Sequence, residues 1–353
     1  MIATPVWPAS FSAGLSNLLR ILLVGALAFA APAVAQERPR ADETLVKIAV
    51  RATPIGAFEP RDPSRTQFGA FEFRGGLQLT SPYRHFGGFS GLHVEPDGAR
   101  FLSVSDRGRW LRGRIVYQSG RPAGIVDAEM APILGADGQP LAVRGWYDTE
   151  SLTIDRGIAY VGIERVNRIV RFDFARQGVL ARAEVVPAPP GISHLPYNKG
   201  LEALAFAPRN SKLAGALIGF SERGLDADGN LKAFLIGGAA PGEFSVKRRD
   251  DFDISDSVIL PPSGDVLLLE RRFSWFTGIA MRLRRIAISD IAPRALVDGT
   301  DLLFADLGYQ IDNMEGLSIH VDTNGDTVLT LISDDNFSIL QRTVLLQFKL
   351  VCE

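Results

Sequence analysis

The chain has 353 residues, of which 38 are Lys or Arg and 40 are Asp or Glu, so its formal net charge is −2. This near-neutral balance gives no electrostatic reason to expect nucleic acid or an anionic membrane surface as a partner. The hydrophobic share of 46% is ample for a core, and the length allows two small domains or one large all-β unit.

Residues 1–35 have the layout of a secretory signal peptide. Arg20 precedes the apolar run Ile21–Ala30, and Ala33-Val34-Ala35 follows it as a small-residue cleavage pattern. The apolar run is too short to span a bilayer, although a retained membrane anchor is the alternative interpretation. We therefore expect a periplasmic or secreted protein with no stable membrane span after cleavage. Because Cys352 is the only cysteine, no intramolecular disulfide can form.

Residues 36–84 contain two strand-like runs, Leu45–Val50 and Phe71–Leu79. The chain ends with another such run, Thr343–Leu350, that lacks a partner of its own. We expect one of the N-terminal runs to pair with this C-terminal strand.

From residue 85 to residue 353 the chain repeats one plan five times. A short motif opens a strand, a turn such as Glu95-Pro96-Asp97-Gly98 follows, and an apolar strand then ends in a charged cluster. The openings are Phe89-Ser90-Gly91-Leu92, Thr149-Glu150-Ser151-Leu152, Leu201-Glu202-Ala203-Leu204, Ser255-Asp256-Ser257-Val258 and Met314-Glu315-Gly316-Leu317. The clusters are Ser105-Asp106-Arg107-Gly108, Glu164-Arg165, Ser221-Glu222-Arg223-Gly224, Glu270-Arg271-Arg272 and Ser333-Asp334-Asp335-Asn336.

Positions 90, 150, 202, 256 and 315 are 60, 52, 54 and 59 residues apart, and each interval holds four strand-like runs. This spacing is typical of the blades of a β-propeller. We predict an all-β fold with a single β-propeller of four-stranded blades, closed by pairing of the N- and C-terminal strands. Five blades follow from direct counting, a sixth from residues 40–84 is the alternative, and a β-sandwich or β-solenoid explains the repeats less well.

The first strand of each propeller blade lines the central axis, so the repeated charges are expected to meet at one mouth of the channel. Carboxylates recur at the strand starts and strand ends, and crowded carboxylates must be protonated or neutralised. Two kinds of positive charge could neutralise these carboxylates: a purely structural ring of arginines, or a hard divalent cation such as calcium.

Other patterns are weaker indications of a site. The four histidines, His85, His93, His194 and His320, have no metal-ligand spacing, and Gly87-Gly88-Phe89-Ser90-Gly91 misses the nucleophile-elbow pattern by one position. The segment Asp226–Asn230 is best interpreted as a hairpin turn.

The motifs at these positions resemble the phytase-like propeller family, which is associated with esterase-like activity. The resemblance covers roughly residues 70–350. It is carried by Phe86–Leu92, Ser103–Gly108, Asn198–Leu204, Asp312–Leu317, Ile332–Ser338 and Gln341–Thr343. The resemblance implies a secreted, calcium-assisted hydrolase of phosphate or other esters.

The leading hypothesis is accordingly an exported hydrolase whose divalent cation activates water for attack on a small-molecule ester or phosphoester. The expected metal ligands are Glu150, Glu202, Asp256 and Glu315. The residues expected to clamp substrate anions are Arg107, Arg165, Arg223 and Arg271. The expected general base is Asp335 or Glu222.

Two rivals remain open on the sequence. One is a non-catalytic envelope propeller that binds a ligand or protein, with structural charges at its axis. The other is a sugar-lactonase-like enzyme that uses the same carboxylates and a similar metal. In each case we expect a monomer.

Overall fold

Antiparallel sheets form a ring in the computed structural model of this chain, which describes residues 45–351. The predicted signal peptide and Cys352 lie outside the described residues.

The described residues form 24 strands, numbered in chain order. They are β1 Val46–Lys47, β2 Arg51–Ile55, β3 Gln67–Phe68, β4 Phe71–Thr80, β5 Phe89–Val94, β6 Arg100–Ser105, β7 Arg109–Gln118, β8 Arg121–Pro132, β9 Thr149–Asp155, β10 Ile158–Ile163, β11 Arg168–Asp173 and β12 Glu184–Val186. They continue with β13 Leu201–Phe206, β14 Ala216–Leu225, β15 Leu231–Gly237, β16 Gly242–Val246, β17 Asp253–Ile259, β18 Val266–Ser274, β19 Gly278–Ile286, β20 Leu296–Val297, β21 Thr300–Asp306, β22 Asn313–Val321, β23 Thr327–Asp334 and β24 Thr343–Leu350.

Helical segments are short and lie in the connections. They are α1 Phe174–Gln177, α2 Pro190–Ser193 and the 3₁₀ segments Leu141–Arg144, Glu164–Val166 and Gly178–Leu180. None of the helices within residues 45–351 has the length and apolar composition needed to cross a membrane.

Each sheet is one blade of a propeller. Blade 1 contains β5 to β8 with β1 at its edge, blade 2 contains β9 to β12, and blade 3 contains β13 to β16 with β20 at its edge. Blade 4 contains β17, β18, β19 and β21, and blade 5 contains β22, β23, β24 and β4 with β2 beyond. The innermost strands β5, β9, β13, β17 and β22 contact one another in sequence around the axis, and β22 returns to β5. The predicted five-blade propeller is confirmed, and residues 45–84 form no sixth blade.

The ring closes where β24 pairs with β4, with Thr343 opposite Leu79 and Leu350 opposite Phe71. This confirms the predicted closure by an N-terminal strand, and the run that pairs with the C-terminal strand is Phe71–Leu79. The other run has a different role, because Val46 and Lys47 pair with β8 at the edge of blade 1.

Apolar clusters fill all five interfaces between neighbouring blades. Between blades 4 and 5, for example, Leu267 and Met281 pack with Leu329 and Phe348. Burying one such side chain contributes roughly 1.5–3 kcal/mol. Because strand residues alternate between the two faces, each blade packs against both neighbours, and apolar packing joins the blades.

Candidate functional site

Every innermost strand begins with a β-bulge. In each blade one residue of the inner strand is skipped in the pairing with the second strand. The skipped residues are Ser90, Glu150, Glu202, Ser255 and Glu315. A bulge re-aims the side chain of the extra residue, so three of the five blades present a glutamate at the same place on the axis.

The second strand of each blade ends beside the bulge. The residues at this equivalent place are Asp106, Glu164, Glu222, Arg271 and Asp334. The backbone amides of Asp106, Glu164 and Glu222 donate to the carbonyls of the residues before the inner strands, at 2.8–2.9 Å. In blade 4 the residue two positions before the bulge is Asp253, and it pairs with Arg271. An arginine therefore stands where the first three blades have a carboxylate.

Three of these carboxylates form a compact, buried group that we call the axial triad: Glu164, Glu202 and Glu222. One oxygen from each lies within 4.8 Å of the others. Glu202 Oε2 is fully buried and has no hydrogen-bond partner among the described residues. A buried carboxylate oxygen without a donor is costly, so this atom indicates a place for a bound cation or water.

Two cationic side chains reach the triad. Arg271 Nη2 lies 3.1 Å from Glu222 Oε1, 3.2 Å from Glu315 Oε1 and 3.8 Å from Glu202 Oε1. Lys199 Nζ lies 2.6 Å from Glu222 Oε2. Both are partly exposed at the mouth, so they can contact a ligand that enters it.

Hydrogen bonds from neutral groups fix two of the carboxylates. The Gly200 amide donates to Glu164 Oε1 at 2.7 Å, and Asn313 Nδ2 donates to Glu315 Oε1 at 2.8 Å. Arg271 Nη1 donates in turn to Asn313 Oδ1 at 3.2 Å. Blades 2, 3, 4 and 5 thus contribute to one connected site.

Proton affinity at this mouth is unusually high. Burial raises the pKa of Glu164 to about 7, with the Gly200 amide opposing the shift and Glu222 adding to it. Burial, reinforced by Asp148 and Glu315 and opposed by Arg107, raises the pKa of Asp106 to about 8. Burial followed by neighbouring carboxylates also holds the pKa values of Glu150, Glu202 and Asp334 well above the ordinary range. Burial is the leading cause of each of these shifts, and the crowding of the carboxylates adds to it.

Of the four predicted metal ligands, the structure brings Glu150, Glu202 and Glu315 to the axis through their bulges. Asp256 lies one residue beyond the bulge of blade 4. Its Oδ2 accepts from the Leu317 amide at 2.6 Å and its Oδ1 from the Ser257 amide at 2.8 Å. Asp256 thus joins blade 4 to blade 5, and it is not part of the axial triad.

Asp335, a predicted general base, lies in the loop between β23 and β24, where both of its carboxylate oxygens accept hydrogen bonds. Its Oδ1 accepts from the amides of Gly88 and Phe337, and its Oδ2 accepts from the Thr343 hydroxyl. Glu222, the other predicted base, belongs to the axial triad.

The four predicted arginine clamps occupy different settings. Arg271 enters the site, whereas Arg223 forms an ion pair with the buried Asp253. The Arg107 guanidinium lies 3.2 Å from the ring centre of Phe337, and that of Arg165 lies 4.2 Å from the ring centre of Tyr147. The last two side chains therefore stack at the rim of the mouth.

Sequence reasoning did not select Glu164, Lys199 or Asn313 as site residues. Glu164 was visible as the acidic member of the second charged cluster, and Lys199 stands just before the third strand opening. No comparable repeat marks Asn313. Its approach to Arg271 depends on the neighbouring positions of blades 4 and 5.

Other cavities among the described residues lie away from the axial triad. One of about 210 Å³ lies further along the axis, between the innermost strands, and is lined by residues such as His93, Phe206 and Ser257. Another of about 680 Å³ lies between blades 1 and 2, where the charged lining residues Arg112 and Glu129 pair with each other. Neither is lined by residues of the axial triad.

Solved structures whose backbones follow a similar path share little sequence identity with this chain. An oxidoreductase of Thermus thermophilus, described as a glucose dehydrogenase, is 15% identical, with a TM-score of 0.34 over 85% of this chain and 99% of that chain. The aldose sugar dehydrogenase of Streptomyces coelicolor, solved with PQQ, is 14% identical, with a TM-score of 0.37 over 87% and 99%. The WD40 repeats of RRP9 are 12% identical, with a TM-score of 0.39 over 86% and 99%. At such TM-scores these likenesses carry no argument about function.

A search of curated proteins finds no significant match. The family model of the phytase-like proteins, described by the esterase-like activity of phytase, matches residues 84–337. This stretch begins just before the first blade and ends in the loop beyond Asp334, so it includes every residue of the axial triad. The chain therefore belongs to the phytase-like family.

Proposed function

We propose that this protein is an exported, metal-assisted hydrolase that cleaves small-molecule phosphoesters or related esters at the axial mouth. The observation that carries the proposal is the axial triad, in which Glu202 Oε2 is buried without a partner beside two other carboxylates. Membership in a family described by esterase-like activity supports the choice of ester hydrolysis.

The residues of the triad fit a hard divalent cation. All three donors are carboxylates, which are the ligands that calcium and magnesium prefer. Lys199 and Arg271 occupy the oxygens of Glu222, but Gly200 takes only one oxygen of Glu164, and Glu202 Oε2 has no partner among the described residues. We propose that Glu164, Glu202 and Glu222 hold the cation, with calcium as the first candidate. When bound, it would polarise the ester and lower the pKa of a nearby water.

The remaining residues have roles that follow from their charges and positions. Arg271 and Lys199, partly exposed beside the triad, would bind the anionic oxygens of the substrate and hold the ester in the mouth. Glu150 stands at the bulge of blade 2 and has a raised pKa, caused first by burial and then by Glu315. A cation bound at the axial triad would lower this pKa again, and we propose that the ionised Glu150 then accepts the proton of the attacking water.

The test is a calcium titration of the purified protein that follows hydrolysis of a phosphomonoester and of a carboxyl ester, together with thermal stability. We expect turnover that depends on calcium. We also expect Glu202→Gln to lower kcat by about a hundredfold or more. Glu184→Gln, at an exposed glutamate on the outer strand of blade 2, is the matched control and should retain full activity.

An unchanged rate in Glu202→Gln would reject the assignment. Stabilisation by calcium without turnover of either ester would instead favour the rival binding propeller, with a structural ion at its axis. No response to calcium would favour neutralisation by Arg271 and Lys199 alone.

Export, a monomeric state and the absence of a nucleic-acid partner complete the proposal. Export is supported by the layout of residues 1–35, and the other two by the formal net charge of −2 and the predicted closed ring. Cell fractionation with mass spectrometry should recover a periplasmic or secreted chain that begins at Gln36. A cytoplasmic chain with residues 1–35 intact would contradict export.

A further inference from the structure

Two loops on the mouth face expose large apolar side chains at their tips. The turn between β18 and β19 carries Trp275, 91% exposed, and Phe276, 99% exposed. The loop between β23 and β24 carries Ile339, 100% exposed, and Leu340, 88% exposed. We call these four residues the apolar tips.

Both loops stand beside the axial mouth on neighbouring blades. β18 runs past Arg271 into its turn, and β23 runs through Asp334 into its loop. Since Arg271 and Asp334 occupy equivalent places at the mouth, the two loops project from the same face of the ring. The half-exposed Phe273 packs edge-on against Trp275, with ring centres 5.3 Å apart, and enlarges the apolar surface.

The apolar tips take almost no part in the packing of the fold, because all four side chains are nearly fully exposed. Single exposed apolar residues such as Val185 and Leu296 are ordinary on a protein surface. Four large side chains at nearly full exposure, on adjacent loops around one mouth, are a different case, because apolar groups gathered on one surface mark an interaction site.

The shape and chemistry of the tips favour a lipid surface over a folded protein partner. All four side chains stand in the short connections that join β18 to β19 and β23 to β24, and none of them lines either cavity described above. Tryptophan is enriched at the boundary between water and lipid, and tryptophan, phenylalanine and leucine form the inserted face of segments that lie on a membrane surface. The face carries both signs of charge, as at Arg272 and Asp306, so the attraction would come from apolar insertion.

We propose that the apolar tips insert into a lipid surface and hold the axial mouth against it. This attachment does not depend on the reaction at the mouth, because none of the four side chains belongs to the axial triad. The binding should occur with zwitterionic lipid and should persist at high salt, since apolar burial is not screened by ions.

The experiment is co-sedimentation with phosphatidylcholine vesicles of the protein freed of residues 1–35. This form retains the fold because every described strand lies within residues 46–350. We expect the double variants Trp275→Ser/Phe276→Ser and Ile339→Ser/Leu340→Ser each to lower vesicle partitioning about tenfold or more, with unchanged thermal stability. Leu296→Ser, at the edge of blade 3, is the matched control and should partition like the wild type.

A spectroscopic readout separates insertion from adsorption. Brominated phosphatidylcholine should quench the tryptophan fluorescence of the wild type, and Trp275→Phe should keep the binding but lose this quenching. Absence of wild-type binding, or equal binding by both double variants, would overturn the proposal. So would a dimer in sedimentation velocity that both double variants abolish, because the tips would then belong to an interface between two copies.

Discussion

Arg271 contacts carboxylates that come from two other blades: Glu222 at 3.1 Å, Glu315 at 3.2 Å and Glu202 at 3.8 Å. Burial alone would lower the pKa of Arg271, but Glu315 and Glu222 outweigh it and raise the pKa. The guanidinium is therefore charged at any working pH. It compensates three acids that would otherwise be buried with too few positive charges nearby.

Replacing Arg271 with glutamine should destabilise the protein by about 3 kcal/mol at neutral pH, because it leaves buried carboxylates without their partner. The loss should shrink at lower pH, where those acids take up protons, and should be partly reversed by calcium. Urea unfolding with and without calcium measures both effects.

Arg209→Gln is the control for that experiment, because Arg209 pairs with Asp155 at an exposed surface and should change stability by less than about 0.5 kcal/mol. An Arg271→Gln protein as stable as the wild type at neutral pH would show that the charge balance at the mouth does not depend on this residue.

At the scale of the strand, the repeated β-bulge explains which axial residues could be predicted from the sequence and which could not. The spacing of the motifs predicted the blades because turn signals and apolar strands recur at long, similar intervals. Glu150, Glu202 and Glu315 were predicted as axial residues because each stands at the strand start that the bulge re-aims. The sequence grouped these three glutamates only because each occupies the same position in its repeat.

Blade 4 departs from that pattern by one residue. Matching acidic residues by type placed Asp256 with the axial glutamates, but the bulge of blade 4 lies at Ser255. The same shift grouped Arg271 with Arg165, whereas the pairing makes it equivalent to Glu164. A shift of one position along a strand moves a side chain to the opposite face, and residue identity alone cannot reveal it.

Glu270 shows the physical consequence of this shift. It points into blade 4, where it is fully buried and pairs with Arg282 and Arg284, both of them on β19. The charged cluster of the fourth repeat therefore divides its charges between the interior of the blade and the axis. Lys199 and Asn313 could not be assigned from the sequence, because their neighbours at the site come from elsewhere in the closed ring.

At the scale of the whole molecule, the ring brings carboxylates from blades 1, 2, 3 and 5 to one mouth. The apolar clusters between all five pairs of blades provide the stability that this concentration of charge opposes. The same closure places the apolar tips and the axial triad on one face. A fold held by apolar packing can therefore present an acidic site whose protonation state depends on pH and on bound cations.

Stability of the cation-free protein should consequently fall as pH rises from about 4 to about 8. The ordinary pKa of an aspartate such as Asp106 is 3.8, but its pKa in the folded protein is about 8, so in this interval the folded state retains a proton that the unfolded state has lost. Each such group lowers the unfolding free energy by at most about 1.4 kcal/mol per pH unit. Glu164 should act in the same direction between 4.5 and about 7.

Asp106→Asn is the variant that isolates this effect, because Asp106 lies outside the axial triad and an amide does not titrate. Urea unfolding across the pH series should show a shallower decline in the variant than in the wild type. Calcium should flatten the wild-type curve near pH 8, since a cation that binds ionised carboxylates replaces the lost protons. Below pH 4 stability should fall again, because Asp322 and similar surface acids with lowered pKa lose their hydrogen-bonded, charged form. A cation-free protein that grows more stable between pH 5 and pH 8 would mean that the axial carboxylates are already ionised and compensated within the fold.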